Sequence, residues 1–208
     1  GFVAQGAKVA FIGRSDATAF ANDLAEKYDN PPLFIQGDIT DTGALQASMA
    51  QAKDAHGPIT CLINNAANDA RHSTADVTED FWDQMVQINL KAYFFACQTA
   101  LPQMQAAGFG SIINFSSISY MMGNAGYPIY TACNSAINGM TRSLAREFGP
   151  NKIRVNALAP GWVLTQKQKD LWVTEEGLAA HVARQCLNET LEPEDIVGGC
   201  LFLASQSS

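Results

Sequence analysis

An α/β fold, a parallel sheet wound on both faces by helices, is what this sequence predicts, and three observations carry the prediction. Short runs that are apolar on both faces alternate with longer segments of helical period. That order suits parallel strands, because each crossover must return along a face of the sheet. The runs also end alike, in small or polar residues: Gly13-Arg14-Ser15, Gly37-Asp38, Asn64-Asn65-Ala66-Ala67, Ser116-Ser117 and Pro160-Gly161. Finally, 208 residues with 47% hydrophobic and 16% charged content suit one globular domain, 1–208, with a sizeable core.

The elements follow in order. Gly1 to Gly6 reads as the last turn of a helix, with Gly6 as its C-cap. Residues 8–13 (KVAFIG) form a strand, and 16–28 a helix with Ser15 as N-cap. A strand over 33–36 leads to a helix over 41–56 capped by Thr40. After a strand at 60–64, Thr78 caps one long helix over 79–106. A strand at 111–116, a helix at 128–148 and a strand at 153–158 come next, then helices over 175–187 and 193–204. Residues 162–174 have no clear period and follow a strand end, so they are predicted as a mobile lid over a ligand. Right-handed crossovers make the sheet doubly wound, with ligands outside the carboxyl ends of its strands. The chain opens on a helical end and stops after another helix, so the domain is expected to be truncated at both ends.

Composition narrows the partners. A net charge of −7 disfavours a nucleic-acid surface, which needs clustered Lys and Arg. No apolar run reaches the roughly 18 residues of a membrane span. The five cysteines (Cys61, Cys97, Cys133, Cys186, Cys200) form no C-x-x-C pair, which predicts reduced thiols, no metal site and a cytoplasmic location.

Tyr130 stands thirteen residues after Ser117 and four before Asn134. With Asn64-Asn65-Ala66, Asn89 and Pro160-Gly161 followed by Thr165, this spacing resembles the short-chain dehydrogenase/reductase family over essentially the whole chain. The resemblance implies a Rossmann-type fold whose first strand and glycine-rich turn would precede Gly1. It implies hydride transfer between NADP or NAD and an alcohol, sugar or ketone. Tyr130 would be the acid/base, Ser117 would orient the substrate oxygen, and Asn89 would hold a relay water. Ser116 competes with Ser117, and a helix Asn exposed to solvent competes with the relay role. Asn134 occupies the family's lysine position. That lysine binds the nicotinamide ribose and lowers the tyrosine pKa; an uncharged amide forfeits roughly 1–3 units of that effect.

For the cofactor, the resemblance implicates Arg14, Asp38, Ile39, Asn64, Ala66, Pro160, Gly161, Val163 and Thr165. An arginine after the first strand suits the 2′-phosphate of NADP. Asp38 would accept from the adenine amino group, or cap the helix that follows. Asn64 would touch the cofactor or brace the sheet. Asn68, Asp69, Arg71 and His72, with Trp162, Gln166 and Trp172, could line a site for a polyhydroxylated ligand. Asn68 to His72 and Gln185-Cys186-Leu187 resemble the branch with bacterial aldose 1-dehydrogenases, and a 3-oxoacyl or ketone reductase is the neighbouring alternative. A dinucleotide-binding pseudoenzyme is the rival that Asn134 invites. The family implies a homodimer or homotetramer, with Phe94, Phe95, Ile137 and Met140 packing between copies.

Overall fold

The computed structural model describes residues 1–208. Five parallel strands alternate with helices, as the periodicity requires: β1 (Ala10–Gly13), β2 (Leu33–Gln36), β3 (Cys61–Asn64), β4 (Gly110–Phe115) and β5 (Ile153–Leu158). They form two hydrogen-bonded sets rather than one sheet, β1-β2 and β3-β4-β5. Phe11 pairs with Phe34 in the first, and Ile112 lies between Leu62 and Val155 in the second. No strand hydrogen-bonds β1 to β3. The two sets are united by packing, since Ile12 of β1 and Leu62 of β3 meet the same buried cluster. That cluster centres on Ala100, Met104 and Ile112, all fully buried.

Helices α1 (Thr18–Tyr28) and α2 (Thr42–His56) cross between the early strands. Their caps sit one or two residues from the expected ones. Asp16, not Ser15, closes the turn before α1, its carboxylate accepting from the Thr18 amide and hydroxyl. At α2, Asp41 accepts from the Ala44 amide, while Thr40 donates its hydroxyl to Asp38. Carboxylates outcompete hydroxyls at such sites because they only accept and carry the charge the helix N-terminus favours. Thr78 does cap α3 (Glu79–Val86), accepting from Phe81.

The long helix expected over 79–106 is interrupted. A π turn, Gln87–Lys91, separates α3 from α4 (Ala92–Ala107). Past β4 come the single turn α5 (Ser119–Met122) and α6 (Pro128–Phe148), a 21-residue helix that crosses to β5. The predicted lid contains a short helix, α7 (Gln166–Leu171), before α8 (Glu175–Val182) and α9 (Pro193–Ala204). The opening turn is a 3-10 helix whose Gly6 takes φ 79°, the left-handed C-cap that glycine adopts without strain. Of the four side chains assigned to contacts between copies, only Phe94 faces out; Ile137 is buried, and Phe95 and Met140 pack on the core.

A buried polar chain fixes the carboxyl ends of the central strands. Asn64 Nδ2 donates to Asn114 Oδ1 at 2.9 Å, and Asn114 Nδ2 donates to Thr141 Oγ1 of α6 at 3.0 Å. In a dry interior such satisfied bonds specify register. Here they lock β3, β4 and α6 in one arrangement, and α6 carries the site.

Candidate active site

The ends of β3, β4 and β5 open into a cleft of about 880 Å³. Ser117 follows β4 and lines it; Tyr130 and Asn134 line it from α6, one helical turn apart and so on one face. The neighbouring serines have different duties. Ser116 is buried and donates to the Asn134 carbonyl at 3.1 Å while accepting from Asn138 Nδ2 at 2.9 Å, which ties β4 to α6. Ser117 Oγ accepts from the Ser119 amide at 3.1 Å, and its hydroxyl faces the Tyr130 phenol, with which it also hydrogen-bonds.

The electrostatics of Tyr130 follow from its surroundings. Burial pushes the phenol above its ordinary value. Hydrogen bonding with Ser117 and Asn134 pulls the other way, while the charges of Asp69 and Tyr127 add to the rise. No cation contributes. Asn134 is 3% exposed, and its Nδ2 donates to the Tyr130 carbonyl at 2.9 Å. The phenol is therefore protonated at neutral pH.

Asn89 is not a solvent-exposed helix residue. It is buried inside the π turn, where its Oδ1 accepts from the Asn68 amide and its Nδ2 donates to the carbonyls of Asn68 and Met85. Both amide protons are spent, so the side chain pins the loop after β3 and has no N–H left for a relay water. π turns of this kind recur at functional sites.

The expected cofactor residues divide. Ala66, Pro160, Gly161, Val163 and Thr165 line the cleft; Arg14, Asp38, Ile39 and Asn64 do not. Asn64 braces the sheet through Asn114, the second of its two expected roles. Ile39 packs on the core. Asp38 bonds the Thr40 amide and hydroxyl, the local role, and its carboxyl is held low by those bonds and by nearby Arg14. Thr165 caps α7 by accepting from Gln168. The polar cluster divides too. Asp69, Arg71, Trp162 and Trp172 line the cleft, but Asn68, His72, Gln166 and the 185–187 segment do not. His72 instead stacks edge-on against Phe81, 5.1 Å between centroids, with Nδ1 at the Ala70 carbonyl.

Several lining residues gave no local signal. Lys167 and Gln168 reach back from α7 to the Asp69 carboxylate at 3.0 and 2.6 Å, and Gln168 also accepts from Trp162 Nε1. Burial works to raise the Asp69 carboxyl, but these bonds and the Lys167 charge outweigh it and hold it low. Tyr127, the residue before α6, also lines the cleft, its ring 6.0 Å from that of Tyr130.

The pattern of the family described as enoyl-(acyl carrier protein) reductase, a short-chain dehydrogenase group, matches residues 1–208. The chain belongs to the short-chain dehydrogenase/reductase family. It is 43% identical over 209 residues to a "probable galactose dehydrogenase" of Rhizobium meliloti, covering 100% of this chain and 82% of that one. It is 40% identical over 210 residues to a D-xylose 1-dehydrogenase of Caulobacter vibrioides, again covering 100% and 82%. A crystal structure of a blue fluorescent protein from a metagenomic library, in complex with NADPH, superposes with TM-score 0.86 at 33% identity, covering 98% of this chain and 83% of that one. A "putative short-chain alcohol dehydrogenase" from Sinorhizobium meliloti 1021 gives TM-score 0.92 at 31% identity, covering 98% and 81%. The family is one of NAD(P)-dependent oxidoreductases, and the cleft at the strand ends has room for such a cofactor. Asn65, Ala66 and Ala67 are all exposed along one wall, with Pro160 to Val163 lining the cleft after β5. Gly161 is closely packed there: a Cβ would stand 3.2 Å from Leu191 Cδ1, which would have to give by a few tenths of an ångström.

Proposed function

We propose that this chain moves hydride between NAD(P) and a secondary alcohol, hemiacetal or ketone of a sugar-like substrate, with Tyr130 as acid/base. The observation that carries the proposal is the convergence of the Ser117 hydroxyl, the Tyr130 phenol and the Asn134 amide on one cleft at the strand ends. Bound NAD(P) would supply or accept the hydride. Ser117 donates to the substrate oxygen and orients it beside the phenol. Tyr130 gives its proton to that oxygen on reduction and takes it back on oxidation. Because nothing cationic offsets its burial, Tyr130 is better supplied as an acid than as a base near neutral pH. Reduction of a carbonyl is the direction this site serves first. Arg14, exposed beside Asp38 at adjacent strand ends, supports NADP over NAD. The names of the sugar-dehydrogenase relatives support the substrate class. Five unpaired cysteines suit a reducing, cytoplasmic location.

Asn134 favours one second reading, a dinucleotide-binding module without turnover. Initial rates with a panel of aldoses and ketoses, run in both directions with NADP(H) and NAD(H), decide between them. Turnover abolished by Tyr130→Phe supports the oxidoreductase. Cofactor binding with no turnover in either direction supports the module.

A further inference from the structure

We propose that the substrate carries an anionic group, a carboxylate or a phosphate ester, and that Arg71 receives it. The proposal rests on the oxidoreductase reading, which places the reacting carbon at Tyr130. Arg71 leaves the loop after β3 and lines the cleft. Its guanidinium carbon lies 4.0 Å from the Tyr127 ring centre and 5.5 Å from that of Trp172. Aromatic rings hold a guanidinium by cation–π attraction and consume none of its N–H donors. The protein consumes none either. The two ion pairs are Lys167–Asp69 and Lys169–Glu192, and no hydrogen bond is made by the Arg71 side chain. Arg154 shows the contrast: its donors are taken by the carbonyls of Leu203 and Ser205, a structural use. Arg71 is positioned but unpartnered, with a planar fork that matches two oxygens of one anion.

The charge around it agrees. Arg71, Lys167 and Arg184 line the cleft against a single carboxylate, Asp69, already paired with Lys167. The chain as a whole carries −7, so the cleft runs against the global balance and draws anions inward. A second donor waits nearby: the Trp172 indole N–H is buried with no acceptor. Arg71 and Tyr130 share the cleft, and Tyr127 touches both: its ring holds the guanidinium and lies 6.0 Å from the Tyr130 ring.

The test compares galactose, galacturonate and galactose 6-phosphate, with the corresponding ketoses for the reductive direction, in the unaltered protein and in Arg71→Gln and Arg71→Lys. The expected result is a kcat/KM at least about tenfold higher for an anionic sugar than for galactose. Arg71→Gln removes that preference, chiefly by raising KM for the anionic sugar; Arg71→Lys restores part of it, since it keeps charge and loses the fork. Which anion wins separates carboxylate from phosphate. Preference for the neutral sugar, or selectivity unmoved in Arg71→Gln, overturns the proposal. Tryptophan fluorescence titration with galacturonate and with galactose 6-phosphate separates this failure from failure of the redox reading. Saturable binding that weakens at least about tenfold in Arg71→Gln, without turnover, keeps the anion site and removes the chemistry. No saturable binding, or binding equal in both proteins, overturns the anion site whatever the turnover.

Discussion

Replacing Asn134 by lysine should turn a site poor in base into one that oxidises readily. Tyr130 is raised by burial and receives no cationic help. An ammonium about 5 Å from the phenol, at an effective dielectric of about 20, favours the phenolate by about 3 kcal/mol. That corresponds to about 2 pK units. Two losses reduce the gain. Asn134 is 3% exposed, so the ammonium pays for desolvation, and its hydrogen bond to the Tyr130 carbonyl at 2.9 Å disappears. A net fall of roughly 1–2 units remains, which multiplies the phenolate population near neutral pH by about tenfold to a hundredfold. The sign is definite: a lower phenol pKa raises oxidation at neutral pH and moves its rising limb to lower pH. The assay is the pH profile of alcohol oxidation in Asn134→Lys, with Asn134→Gln as the uncharged control and an ultraviolet phenolate titration against Tyr130→Phe as the direct readout. If both the profile and the titration stay where they are in the unaltered protein, the electrostatic account of Asn134 is wrong.

Other outcomes follow from the same contacts. Asp69→Asn removes a negative charge that raises Tyr130, so the oxidation profile should shift toward lower pH by a fraction of a unit, seen in the same titration. Asn114→Ala leaves Asn64 Nδ2 only the weak Cys97 sulfur as acceptor and takes the donor from the Thr141 hydroxyl, and urea unfolding should show a loss of about 1–3 kcal/mol. The two serines should part: Ser117→Ala lowers kcat/KM by about ten- to a hundredfold with stability kept, whereas Ser116→Ala lowers the urea midpoint by the equivalent of about 1–2 kcal/mol. Gly110→Ala drives a Cβ to within 2.6 Å of Met104 Cγ and should destabilise by about 1–3 kcal/mol.

Local pattern carried much of this molecule. The apolar runs placed all five strands within about two residues, since a period of two or 3.6 is a property of neighbours in sequence. Ser117, Tyr130 and Asn134 were legible through the family resemblance that their spacing carries, and a strand end and one helix face bring them to one cleft. What escaped was set by distant partners. Nothing between 79 and 106 announces a π turn; it accommodates Asn89 bonding the backbone of Asn68 across 21 positions. The α7 helix, QKQKDL, has no apolar stripe to announce it, and Lys167 and Gln168 have their partner Asp69 nearly a hundred residues earlier. Asn64 was assignable to the cofactor or to the sheet, and only the position of Asn114 decides.

The most direct test of the account is the rate of NADPH oxidation with a sugar-like carbonyl substrate in Tyr130→Phe, with NADPH binding measured in the same preparation. The account predicts a fall of about 10² to 10⁴ with binding unchanged, because only the proton donor is removed. A Tyr130→Phe protein that reduces the substrate as fast as the unaltered chain would contradict it.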